Sequence, residues 1–227
     1  MVATLLIAAH GTRSAAGSAT VEALAKAIAT ARPDVPVSLC FLDVAEPSLA
    51  TALDSLSGRP VVVVPLLLSA GYHVTTDIPA VVAGRHRVRV AHHLGPDPAV
   101  IEALADRLAE AGGADVTGGT DGPVLLAAIA SSRSTARAEV ELAAAALAER
   151  LARPVRMLGL GEDRLTDAQP PYRVSTYLLA EGGFLDQLRA DAAGDAVVAA
   201  PIGVHPAVVS LTWTRYDEAS AVDATAR

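Results

Sequence analysis

The sequence predicts an α/β protein of two similar domains, each folded around a parallel sheet. Three observations lead there. Short, almost wholly apolar runs alternate with stretches of helical periodicity, the pattern of strands covered on both faces and of the helices that connect them. The second half of the chain repeats the first. Between the halves, Gly112 to Gly122 is rich in Gly, Asp and Thr and has no long apolar run, as expected of a linker. The domains are therefore placed at residues 1–115 and 116–227.

Taken in order, Val2 to Ala9 reads as a buried strand that runs into the loop His10-Gly11-Thr12-Arg13. A helix follows from about Ala16 to Arg32, with Val21, Leu24, Ala25 and Ile28 at helical spacing and Pro33 at its exit. Val35 to Leu42 gives a second strand and Pro47 to Leu56 a second helix. Val61 to Leu68, apolar almost throughout, gives a third strand, and Val88 to His92 a fourth. Pro98 to Ala111 is the closing helix, with Pro at its first position, where a missing N–H costs nothing.

The repeat begins without gaps. Leu125 to Ser134 aligns with Leu5 to Ser14, and a helix from about Thr135 to Leu151 follows. Tyr177 to Phe184 corresponds to Pro65 to Tyr72, and Val198 to Val208 to Val90 to Val100, with Gly203 on Gly95 and Pro206 on Pro98. The comparison singles out two histidines: His10 falls opposite Ala130 and His73 opposite Leu185.

Composition narrows the function. The chain is 52% hydrophobic but 3% aromatic, so the cores are built mostly of Ala, Val and Leu. A net charge of −7 and a single lysine, Lys26, argue against nonspecific nucleic-acid binding. The lone Cys40 excludes an intrachain disulfide and a Cys-based metal site. The first apolar run lacks a basic leader and is too short to span a bilayer, so a cytoplasmic protein with no membrane partner is expected.

Both singled-out histidines follow strands, at the carboxyl ends where open parallel sheets place their ligands. Imidazole binds iron(II), cobalt(II), nickel(II) and zinc(II), and it also accepts a proton near neutral pH. His86, His92, His93 and His205 lack comparable context and read as loop or surface residues, with His92 and His93 as reserves. Around the pair, several residues have two readings. Gly11 and Gly71 could let a flat ligand approach, or simply supply turns. Arg13, with Thr12 and Ser14, could hold a carboxylate, or belong to an ordinary helix start. Asp43 and Glu46 could assist a metal or take a proton, or cap the next helix. Asp77, four residues after His73, could hydrogen-bond its imidazole if that stretch is helical. The Arg85-His86-Arg87-Arg89 cluster reads best as a solvated turn.

Three blocks resemble the sirohydrochlorin chelatase family: Ala8-Ala9-His10-Gly11-Thr12-Arg13, Phe41-Leu42-Asp43, and Val64 to Pro79, which holds Gly71-Tyr72-His73. Leu94-Gly95-Pro96-Asp97-Pro98 is similar to the family's segment before the closing helix. The resemblance implies two Rossmann-like domains related by duplication and facing across a cleft, with the second half as the opposite wall. It implies ATP-independent insertion of a divalent metal, iron(II) first and cobalt(II) next, into sirohydrochlorin, for sirohaem or cobalamin synthesis. A noncatalytic metal or tetrapyrrole carrier is the alternative. By the same resemblance His10 and His73 are catalytic and bind the metal with Asp43, which stands where the family commonly has a glutamate. Arg13, Gly11, Gly71 and Tyr72 would contact substrate. No tightly bound cofactor is expected, the partners are sirohydrochlorin and the metal ion, and a monomer suffices, with a dimer as the alternative. The absence of a phosphate-loop pattern and of a GxGxxG after the first strand agrees with a reaction that uses no nucleotide.

Overall fold

The computed structural model describes residues 2–112, 123–163, 165, 172–192 and 196–221. Beyond Gly112, the expected linker lies outside the described residues. The described chain forms two four-stranded, all-parallel sheets flanked by helices, as the alternating pattern predicts.

In the first sheet, β1 (Thr4–Ala9) lies between β2 (Val37–Phe41) and β3 (Val61–Leu66), and β4 (Val88–Val90) lies outside β3. Every residue of β1 and β3 is buried, which accounts for their apolar character, Thr4 being the one polar side chain in them. Side chains alternate between the two faces. Leu6, Ala8, Val61 and Val63 pack with Leu49, Ala52 and Leu53 of α2 (Leu49–Ser55) and with Ile78 at the start of α3 (Ile78–Val82). The helix α1 (Ala15–Ala31) packs against β2 and against α7 (Pro206–Ala221), which also contacts β3 and β4.

The second sheet has the order β6 (Val155–Leu160), β5 (Val124–Ile129), β7 (Arg173–Thr176) and β8 (Val197–Val198), the same topology as the first. Its core includes Leu125, Leu158, Tyr172, Val174, Leu185 and Leu188, the last two from α6 (Gly183–Asp191). On this sheet α4 (Pro98–Gly112) packs against α5 (Ser134–Leu151), β7 and β8. Arg150 of α5 grips Glu102 of α4 through two hydrogen bonds of 2.7 and 2.9 Å.

The compact units are therefore not the two halves of the sequence. One unit takes the chain up to Leu94 together with the segment from Val204 onward, and the other is Gly95–Gly203. This differs from a division at residues 1–115 and 116–227, because the closing helix of each half packs on the other half's sheet. α7 is secured in the first unit by several contacts. Trp213 donates its indole N–H to the carbonyl of Ile28 at 3.1 Å, and Tyr216 donates its hydroxyl to the carbonyl of Ala3 at 2.6 Å. The guanidinium of Arg32 lies 4.5 Å from the centre of the Trp213 ring and pairs with Asp217 at 2.8 Å.

Candidate functional site

His10 follows the last residue of β1, and the ladder to the neighbouring chain continues past it: the N–H of Asp43 donates to the His10 carbonyl at 2.9 Å. His73 enters after β3 on a π-helical turn, His73–Asp77, closed by the N–H of Ile78 on the His73 carbonyl. The two imidazoles meet, with ring centres 4.8 Å apart and planes inclined at 59°. Both can reach one metal ion at ordinary metal–nitrogen distances.

The two rings differ in how they are held. His73 Nδ1 lies 2.6 Å from Asp77 Oδ2, the bond anticipated from the four-residue spacing, although the backbone carrying it is a π turn and not an α-helix. A carboxylate at Nδ1 fixes the ring's orientation and leaves Nε2 as the outward nitrogen. The His10 imidazole has no hydrogen-bond partner among the described residues. Burial lowers its pKa below the ordinary 6.5, neighbouring His73 lowers it further, and Asp43 raises it in part. Its free base therefore persists into mildly acidic solution, as a proton acceptor requires.

Asp43 stands beside His10 but does not join the two histidines in a metal cluster. Its Oδ1 accepts the backbone N–H of Val44 at 2.8 Å, and among the described residues no three His, Cys, Asp or Glu side chains are grouped to hold a metal. Its effect on His10 is electrostatic. Glu46 is committed to the entrance of α2, where its Oε2 accepts the N–H of Ser48 at 2.7 Å. Ser14 caps α1 by accepting from Gly17, which assigns it to the helix start. Arg13 is exposed and makes no ion pair among the described residues.

Gly11 must be glycine: its φ is +94°, and a Cβ there would collide with the carbonyl oxygen of Asp43. A Cβ on Gly71 would meet nothing within 4 Å, so the space beside that residue is open. Tyr72, immediately before His73, is 56% exposed.

His92 and His93 stack on each other at 4.3 Å, and His93 is buried. His205 accepts the N–H of Ala207 at the start of α7. The arginine cluster is not merely a solvated turn. Arg85 pairs with Asp54, Arg87 donates to the carbonyl of Gly58, and Arg89 donates to the carbonyls of Ala219 and Ser220 at the end of α7. In the second unit, the position equivalent to His73 is Leu185, fully buried in the core.

Residues 4–111 match the CbiX family model, from the first residue of β1 through α4. Over this segment, just under half of the chain, the protein is similar to the CbiX family. The match bears out the resemblance to the sirohydrochlorin chelatases. The sirohydrochlorin cobaltochelatase of Methanosarcina barkeri (strain Fusaro / DSM 804) is 33% identical over 82 residues, 35% of this chain and 63% of that protein. The cobaltochelatase of Methanosarcina acetivorans is 32% identical over a stretch of the same length. The chain thus matches less than two thirds of the length of these curated relatives. Among solved structures, SirB from Bacillus subtilis with Fe3+ superposes with a TM-score of 0.77 at 23% identity, covering 99% of this chain and 98% of that one. The sirohydrochlorin chelatase SirB of Bacillus subtilis subspecies spizizenii in complex with cobalt gives 0.78 at 22% identity, with the same coverage. At such identities the likeness shows the fold alone.

Proposed function

We propose that the protein inserts a divalent metal ion into sirohydrochlorin without ATP, as a metal chelatase of the lyase class. The observation that carries this reading is the His10–His73 pair, two imidazoles 4.8 Å apart at the carboxyl end of the first sheet, one anchored and one free. Insertion exchanges two pyrrole N–H protons for one divalent ion. His73, oriented by Asp77, presents a nitrogen that holds the incoming ion. His10, kept neutral by partial burial and by its neighbour, helps hold the ion and, once the ion has passed to the pyrrole nitrogens and freed its lone pair, accepts a pyrrole proton, the second proton passing to solvent. Two ligands leave most of the ion's coordination positions to water and then to pyrrole nitrogens, so the protein does not trap the metal. Asp43 moderates the basicity of His10. Arg13, exposed and without an ion pair among the described residues, serves the carboxylates of the macrocycle, and Gly11, Gly71 and Tyr72 border the place where its ring lies.

The metal is iron(II) or cobalt(II). Iron(II) is the first reading, for sirohaem synthesis, and the names of the two Methanosarcina relatives favour cobalt(II) as the second, for cobalamin synthesis. No resident cofactor and no nucleotide are required, and the protein acts in the cytoplasm. The absence of any membrane-crossing helix among the described residues is compatible with that location.

The test is anaerobic metallation of sirohydrochlorin, followed by absorption, with iron(II) and cobalt(II) in parallel. Wild type is set beside a His10→Ala/His73→Ala variant and a protein-free control. Multiple turnovers lost in a folded double variant support the reading, and the relative rates rank the metals. Stoichiometric transfer without turnover would indicate a carrier, and no acceleration over the control would refute the proposal.

A further inference from the structure

Val44 has a conformation that a valine rarely adopts. Its φ is +50°, in the left-handed region, where a β-branched side chain is a genuine outlier. It is the centre of a tight turn closed by the N–H of Ala45 on the carbonyl of Asp43 at 2.7 Å, while its own N–H is held by Asp43 Oδ1. Such strain persists only where the surroundings enforce it, and it gathers at functional sites.

The turn directs an apolar side chain outward. Val44 is 49% exposed, and its Cγ2 lies 3.3 Å from where a Cβ on Gly11 would stand, next to His10. Tyr72, beside His73, is likewise exposed. Each histidine is thus accompanied by one exposed apolar side chain. A cap or a turn needs no valine here, since glycine or asparagine would fit the same backbone without the steric penalty. A flat, conjugated ring with charged groups at its rim has apolar faces that such side chains can cover.

We propose that Val44 is a substrate-contact residue of the His10–His73 site, an apolar post against which one face of the tetrapyrrole rests. The inference deepens the chelatase reading and rests on it.

The test exploits the strain. Glycine accepts a φ of +50° at no steric cost, so Val44→Gly removes the side chain without harming the fold, and its Tm equals or exceeds that of wild type. Binding of metal-free sirohydrochlorin, titrated by absorption, then weakens about tenfold, the order expected when one valine's apolar contact is lost. KM rises in parallel while kcat changes less. Val44→Ile, which keeps the apolar branch, binds within about twofold of wild type. Wild-type affinity in Val44→Gly, or a loss of affinity that appears only with a lowered Tm, would overturn the proposal. Failure of wild type itself to bind or metallate sirohydrochlorin would instead strike the chelatase reading, and the wild-type arm separates the two.

Discussion

Replacing Asp77 by alanine removes the one side-chain hydrogen-bond partner of His73 among the described residues while leaving both histidines in place. The bond is short, 2.6 Å between Nδ1 and Oδ2, but the two side chains are 22% and 37% exposed. Solvent screening at that exposure limits the pair's contribution to folding to about 1 kcal/mol or less. Its contribution to chemistry is larger, because the carboxylate sets which nitrogen of His73 faces the metal and where the ring points. Loss of such a partner typically costs about 10–100-fold in metal affinity or activity. That range corresponds to roughly 1.4–2.7 kcal/mol of transition-state stabilisation. Asp77→Ala should therefore lower the rate of metallation about 10–100-fold with little change in thermal stability. Asp77→Asn, whose amide oxygen still accepts the Nδ1 proton without the charge, should fall between the two. Steady-state metallation under anaerobic conditions, set beside unfolding followed by circular dichroism, measures both quantities. An Asp77→Ala protein within twofold of wild-type rate, or one whose rate falls only because it unfolds, would refute the orienting role.

Other perturbations follow from the same geometry. If neutral His10 accepts the proton, activity falls as pH drops through its pKa, so the acid limb of the rate profile lies below 6.5. Asp43→Asn removes the contribution that raises that pKa and should move the limb to lower pH; a limb unmoved or moved upward in the pH–rate profile would refute the assignment. Gly11→Ala should destabilise the first unit by about 2 kcal/mol or more, since the new methyl meets backbone at a positive φ, and denaturant midpoints would show it. Ser175 carries a fully buried hydroxyl without a hydrogen-bond partner among the described residues, so Ser175→Ala should be neutral or stabilising by up to ~1 kcal/mol in a thermal melt.

Much of this was readable from the residues. The apolar runs at Val2 to Ala9 and Val61 to Leu68 became β1 and β3 because strands buried on both faces tolerate no polar alternation. The spacing of His73 and Asp77 foretold their bond, but the π turn that carries it has no signature in these residues. The pairing of His10 with His73 could be expected from their places after parallel strands, whereas the left-handed Val44 could not, because valine is among the last residues a positive φ suggests. Nor could the sequence reveal which sheet each closing helix covers. The halves are duplicates, so the apolar faces of α4 and α7 suit either sheet, and only tertiary contacts such as Trp213 on Ile28 and Arg150 on Glu102 decide it. The basic cluster misled for a related reason: its partners, Asp54, Gly58 and the end of α7, are distant in the chain.

The exchanged helices impose an order on birth at the ribosome. The first sheet is synthesised early, yet the helix that completes its unit emerges only after the whole of Gly95–Gly203 has been made. At ordinary translation speeds of about 5–20 residues per second, the nascent sheet waits on the order of ten seconds with apolar surface uncovered. The half without the two site histidines therefore cannot be shed as spare cargo, since the chain must pass through it to reach the first unit's last helix. A gene cut after α4 would encode both site histidines and still leave their sheet without its cover.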